Sequence, residues 1–192
     1  MAAALALVGT VVIFATGGDF GRGGDFDGEA IGDLCESVDV SALEDLEKPA
    51  LAEDERSGDS ESDDSLAEFS CEVRLLAEEK EESSDYLAVT VRVKAQIAKT
   101  VNRAEDVFAG AVDYEESEGR KVDAADVGDD SVTAADPEQE SADQREYRSH
   151  VRSSNAVVSV TMIVSSSAMD AEVAGAVPPD VAESTLEVMR SE

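Results

Sequence analysis

The chain has 192 residues, 42% of them hydrophobic, which suits one ordinary domain with an appendage and is too apolar for a wholly disordered chain. Against 15 Lys and Arg stand 45 Asp and Glu, a formal charge of -30. That excess excludes sequence-independent nucleic-acid binding, which needs cations for the phosphates, and argues against adsorption on anionic lipid headgroups. One His and two Cys exclude four-cysteine clusters and most zinc sites, so no metal and no cofactor is expected.

Residues 1–18 open with an uncharged run, Ala2–Thr16 reading AAALALVGTVVIFAT, that fits a signal anchor or the core of a signal peptide. The first cation is Arg22, so a start further upstream would supply the missing basic region. The expected location is the cell membrane, single-pass through one N-terminal apolar helix with the carboxyl-terminal domain outside, or alternatively secretion. No Cys closely follows the run, which sets aside lipid attachment.

Residues 19–28 belong to a Gly-rich linker, GGDFGRGGDFDG from Gly17, flexible by composition. Gly-Gly-Asp-Phe occurs twice there and partly resembles the signature loop of diguanylate cyclases, a reading that is rejected. The cyclase loop carries a Glu after its Asp and lies between strands of a large domain; this segment follows an apolar leader. Cys35 and Cys71 are then the only thiols, and an even count in an exported chain predicts a disulfide. Closing that loop contributes roughly 3–4 kcal/mol in the chain-entropy picture.

Residues 29–192 read as one extracytoplasmic domain. Ile31, Leu34 and Cys35 share one face of a short helix, and Ser41-Ala-Leu-Glu44 is a capping-box pattern opening a second. Glu53–Asp64, EDERSGDSESDD, carries no apolar side chain and is expected to be a mobile acidic loop. Its spacing of acids fails the calcium-loop pattern at Asp64 and Ser70. Phe69, Cys71, Val73 and Leu75 alternate with polar residues, as do Leu87, Val89, Val91, Val93, Ala95 and Ile97, predicting an antiparallel hairpin with one buried face. A helix is expected from a cap at Asn102 through Glu116, burying Val107, Phe108, Ala111 and Val112. Short edge strands around Gly128 follow, then strands over 146–152 and 156–166 joined at 153–155, and a last helix opening at Pro179. The fold class is α+β: an antiparallel sheet covered on one face by helices.

The apolar leader, Asp33-Leu-Cys35, Cys71-Glu-Val73, the long strand and helix, and Asp126-Val-Gly-Asp-Asp130 together resemble actinobacterial secreted or membrane-anchored proteins of unknown function. Several of these are similar to the PsbP-like α/β sandwich. The resemblance spans roughly residues 30–190 and implies no catalytic residue set.

His150 reads as a surface histidine, since no strained Gly-x-Ser-x-Gly turn accompanies it. The close acid pairs Glu115–Glu116 and Asp129–Asp130 are expected by chance in so acidic a chain. More informative is the stretch from Leu87 to Ala104, which has four cations and no acid, with Arg145, Arg148 and Arg152 on the other strand pair. Arg92, Lys94, Arg148 and Arg152 are therefore the candidate face for an anionic partner, either an unknown protein or a small anionic ligand. The plainer reading pairs these cations with acids such as Glu72 and Glu146. The function expected is extracytoplasmic binding or interaction without catalysis; the alternative is an extracytoplasmic hydrolase with an unrecognised carboxylate pair. A halophilic origin is a third reading of the acidity.

Overall fold

The structure, a computed structural model, describes residues 24–29, 31–44, 51–77, 88–136, 144–164 and 171–191. The leader and most of the linker lie outside these residues, as do residues 137–143. Two short helices, α1 (Leu34–Ser37) and α2 (Ser41–Glu44), precede three strands, β1 (Leu51–Ser62), β2 (Leu66–Ala77) and β3 (Ala88–Ala98). Helix α3 (Val101–Ser117) leads to β4 (Lys121–Ala124), β5 (Asp130–Ala135), β6 (Arg145–Ser153) and β7 (Ala156–Val164), and α4 (Ala171–Ser191) ends the fold. All seven strands form one antiparallel sheet in the order β1-β2-β3-β7-β6-β5-β4.

The period-two residues make the core as expected. Val73, Leu75, Val89, Val91, Val93 and Ile97 are buried beside Val158, Val160 and Met162, under α1, α2 and α4. The β2–β3 register sets Cys71 against Val93 and Val73 against Val91. Cys35 on α1 is bonded to Cys71 with Cα atoms 4.9 Å apart, so the expected disulfide fastens α1 to the second strand.

Four expectations are corrected. The first is the acidic loop at 53–64, most of which is strand β1, paired with β2 (Ser57 against Glu72, Gly58 against Cys71, Asp59 against Ser70) with one bulge between Glu53 and Glu55. An edge strand needs only backbone pairing and one packed face, so polar side chains suit it. Gly58 meets the disulfide so closely that a Cβ there would lie 2.8 Å from the Cys35 Cβ. Arg56 donates to the carbonyls of Cys35 and Val38, tying β1 to α1.

Second, helices cover both faces. Helix α3 packs on the opposite face, where Ala104 joins Ala98 and Val157, with Leu66, Val107 and Phe108 alongside. Its N-cap is Thr100, whose hydroxyl accepts from the Arg103 N–H, rather than Asn102. Val107, Phe108, Ala111 and Val112 are only half-buried.

Third, the end of the linker is docked. Phe26 is in the core, its N–H donates to Asn155 Oδ1 at 3.1 Å, and Asn155 Nδ2 donates to the carbonyls of Phe26 and Ala98. Arg190 of α4 stands 5.3 Å from the Phe26 ring centroid, a cation–π contact.

Fourth, α4 begins at Ala171 and carries Pro178 and Pro179 inside it, rather than opening at Pro179. Each proline removes one helical hydrogen bond. Burial of Ala174 and Val177 before them, and of Val181, Leu186 and Met189 after, holds both halves on the sheet.

Candidate functional site: a polar groove under α3

Because β7 lies between β3 and β6, the second sheet face is a grid of polar residues. One row runs Glu72, Arg92, Thr161, Arg148 and the next Ser70, Lys94, Ser159, His150. Period two sends these side chains to the face opposite Val91 and Val93. Helix α3 packs most on β6 and also on β7, β3 and β4, and leaves the side chains of Glu72, Arg92 and Lys94 about half-exposed on the β1–β3 side of the grid. The result is a groove of about 660 Å³, lined by Asp59, Glu72, Arg92 and Lys94 on the open side and by Tyr114, Glu115, Arg148 and His150 on the helix side. The hydroxyls of Ser159 and Thr161 sit between.

Glu115 organises the closed end. It is fully buried, yet three donors converge on it: Arg120 Nη1 on Oε2 at 2.8 Å, and Arg148 Nη1 and His150 Nε2 on Oε1, each at 3.0 Å. A buried carboxylate is tolerated only when paired and hydrogen-bonded in this way. Burial pushes the Glu115 carboxyl up, but the hydrogen bonds from His150 and Arg148 and the Arg148 charge outweigh it, so the group stands below its ordinary value. Burial dominates at His150, whose imidazole is held below its ordinary 6.5 in spite of Glu115. The neutral ring therefore donates through Nε2 to Glu115 and accepts the Ser159 hydroxyl at Nδ1, 2.8 Å away. Arg148 is also loaded by Glu146 (2.6 Å from Nε); pairing with Glu115 and Glu146 overcomes its burial and raises its pKa.

The expected surface histidine is thus a buried one, and Glu115 was legible in the sequence only as one acid of a close pair. Ser159, His150 and Glu115 do form a hydroxyl–imidazole–carboxylate chain. The ring is reversed relative to a Ser-His-Asp triad, with the acid on Nε2. Ser159 also lies within a strand paired to β3 and β6, away from any strained turn that would free N–H groups for an oxyanion. The chain braces His150.

Of the four candidate cations, Arg92, Lys94 and Arg148 line the groove together. Arg152 sits outside it, held by Asp130 at 2.5 Å and Asp129 at 3.6 Å beside the β6–β7 turn. Each groove cation has an acid partner: Arg92 with Glu72 at 2.6 Å, Lys94 with Glu68 at 2.9 Å, and Arg148 with Glu115 and Glu146. The close acid pairs do not act as paired carboxyls in the groove, since Glu116 is exposed while Glu115 is buried, and Asp129 and Asp130 are both engaged by Arg152 outside it. Asp39, Asp63 and Glu115 are all shifted downward, the opposite of a general acid's need. Among the described residues no cluster of three or more His, Cys, Asp or Glu is placed to hold a metal ion, and no helix is long and apolar enough to cross a membrane.

Fold and groove define an α+β domain with a polar surface site between a helix and a sheet. No family model matches the chain and no curated protein matches it, so the resemblance to PsbP-like sandwiches finds no support there. Among solved structures, the chain is similar to the crystal structure of the extracellular domain of PknH from Mycobacterium tuberculosis, with 10% sequence identity and a TM-score of 0.47, over 84% of this chain and 98% of that one. At that level the likeness carries no argument about ligand or activity.

Proposed function

We propose that this is an extracytoplasmic binding domain, tethered to a membrane by residues 1–18 or secreted, that engages its partner in the α3 groove without catalysis. The observation that carries the reading is the groove itself, open on the β1–β3 side and braced from beneath by a buried, fully paired carboxylate. Such bracing holds polar side chains in place before a ligand arrives, which lowers the cost of binding. The Cys35–Cys71 bond supports an oxidising compartment, and the apolar leader supports export. Against the hydrolase alternative, the buried carboxyl of the groove, Glu115, is shifted downward by its three donors.

A pull-down from a membrane and envelope fraction with the full chain tests this. Ala111 lines the groove from α3 and is half-buried, so Ala111→Trp fills the space from the helix side. The expected result is recovery of a partner by the wild-type chain and its loss with folded Ala111→Trp. Equal recovery by both chains would remove the groove from the reading.

A further inference from the structure

The groove differs in charge from the rest of the molecule. Its lining acids, Asp59, Glu72 and Glu115, are matched by three cations, Arg92, Lys94 and Arg148, in a chain of net charge -30. A charged ligand, of either sign, finds no net complement there, and an anion must also displace Glu72 and Glu68 from Arg92 and Lys94. A neutral ligand meets neither cost. What the lining does offer is closely mixed donors and acceptors: the Arg92–Glu72 pair, Gln96, whose Nε2 donates to Glu68, and the hydroxyls of Ser159 and Thr161. Ligand hydroxyls, which both donate and accept, can hydrogen-bond to such a pair without separating it.

The groove also carries an aromatic ring. Tyr114 is 51% exposed on its α3 wall, with the Arg120 guanidinium 5.9 Å from the ring centroid. An amphipathic ring in that position suits a ligand with one apolar face and a polar perimeter. The volume, about 660 Å³, is that of a site for an extended small ligand rather than a single ion.

We infer that the α3 groove is a saccharide site, taking a neutral, hydroxyl-rich sugar segment with one ring laid against Tyr114 and its hydroxyls on Arg92, Glu72, Gln96 and Thr161. The inference rests on the reading of the groove as the domain's binding surface and names the chemistry of its ligand. Glu115 does not touch the sugar in this picture. It is a positioning residue, holding Arg148 and His150 behind the floor.

The test applies the full chain to an array of neutral and acidic oligosaccharides, followed by calorimetric titration of the best neutral binder and of inorganic phosphate. The expected result is saturable binding of a neutral glycan that is unchanged by added salt and weakens by about tenfold or more in Tyr114→Ala. Because Tyr114 is half-exposed, that variant keeps the wild-type melting temperature, which separates a lost contact from a lost fold. Three outcomes overturn the inference: no neutral glycan bound, neutral binding that Tyr114→Ala leaves intact, or binding confined to acidic glycans or phosphate and weakened by salt. If no glycan binds while Ala111→Trp still abolishes partner recovery, the groove remains the binding surface and only the saccharide assignment falls.

Discussion

Glu115→Gln is the perturbation that best isolates the closed end of the groove. The carboxylate accepts three hydrogen bonds, one on Oε2 and two on Oε1. A glutamine offers a single acceptor oxygen. Placed where Oε1 was, it keeps Arg148 and His150 and turns its NH2 on the Arg120 guanidinium; flipped, it keeps Arg120 and turns a donor on the other two. Either way a donor faces a donor, Arg120 loses its carboxylate partner and Arg148 keeps only Glu146. Removing one partner from a buried ion pair costs about 3–5 kcal/mol. The Arg120 and Arg148 side chains retain 14% and 19% exposure, so water relieves part of this. We expect a loss of about 2–4 kcal/mol by urea unfolding at unchanged m-value, or roughly 6–12 °C in melting temperature at the midpoint of that range. A double-mutant cycle with Arg148→Met should return a coupling of about 1–3 kcal/mol. A melting temperature within about 1 °C of wild type would refute the claim that Glu115 carries the closed end.

Reducing the disulfide, which closes a separation of 36 residues, should cost about 4 kcal/mol in the chain-entropy picture, read as a lowered urea midpoint with dithiothreitol; an unchanged midpoint would show that α1 is held by packing alone. Replacing residues 53–62 by a Gly-Ser linker should lower the melting temperature by several degrees, because β1 covers the edge of β2 and anchors α1 through Arg56; an unaltered melt would return the segment to a dispensable loop. The folded His150 imidazole titrates below 6.5, so its contribution to stability is fully present above that value and is lost as pH falls through the lower folded pKa. Melts at about pH 7.5 and about pH 5 should therefore differ more for wild type than for His150→Gln, and equal differences would disprove the assignment.

The strands that carry an alternating apolar face were legible from the sequence, because Val91, Val93, Val158 and Val160 mark the core whatever lies on the other side. Strand β1 was not. Its Glu55, Ser57, Asp59 and Glu61 are exposed, and on the core side it presents Arg56 and Gly58, so no period appears. Only its pairing with β2 makes it a strand. The groove was half legible: Arg92, Lys94 and Arg148 stood out as cations in an acidic chain. Their closeness depends on β7 inserting between β3 and β6, a tertiary choice that no local pattern encodes. Glu115 was hidden for a similar reason, since one acid among 45 is marked only by the three donors that packing brings to it.

The docking of Phe26 against Asn155 has a consequence for orientation. The chain enters the domain at a fixed point, beside the β6–β7 turn and the end of β3. Phe26 is only eight steps along the chain from position 18, a reach of at most about 28 Å fully extended. If residues 1–18 remain in a bilayer, that end of the sheet is held within this reach of the lipid and is the end nearest to it along the chain. Helix α3 starts at the same end, at Thr100, and Tyr114 lies about 21 Å along its axis. A domain standing upright on that tether would hold the aromatic wall of the groove away from the membrane.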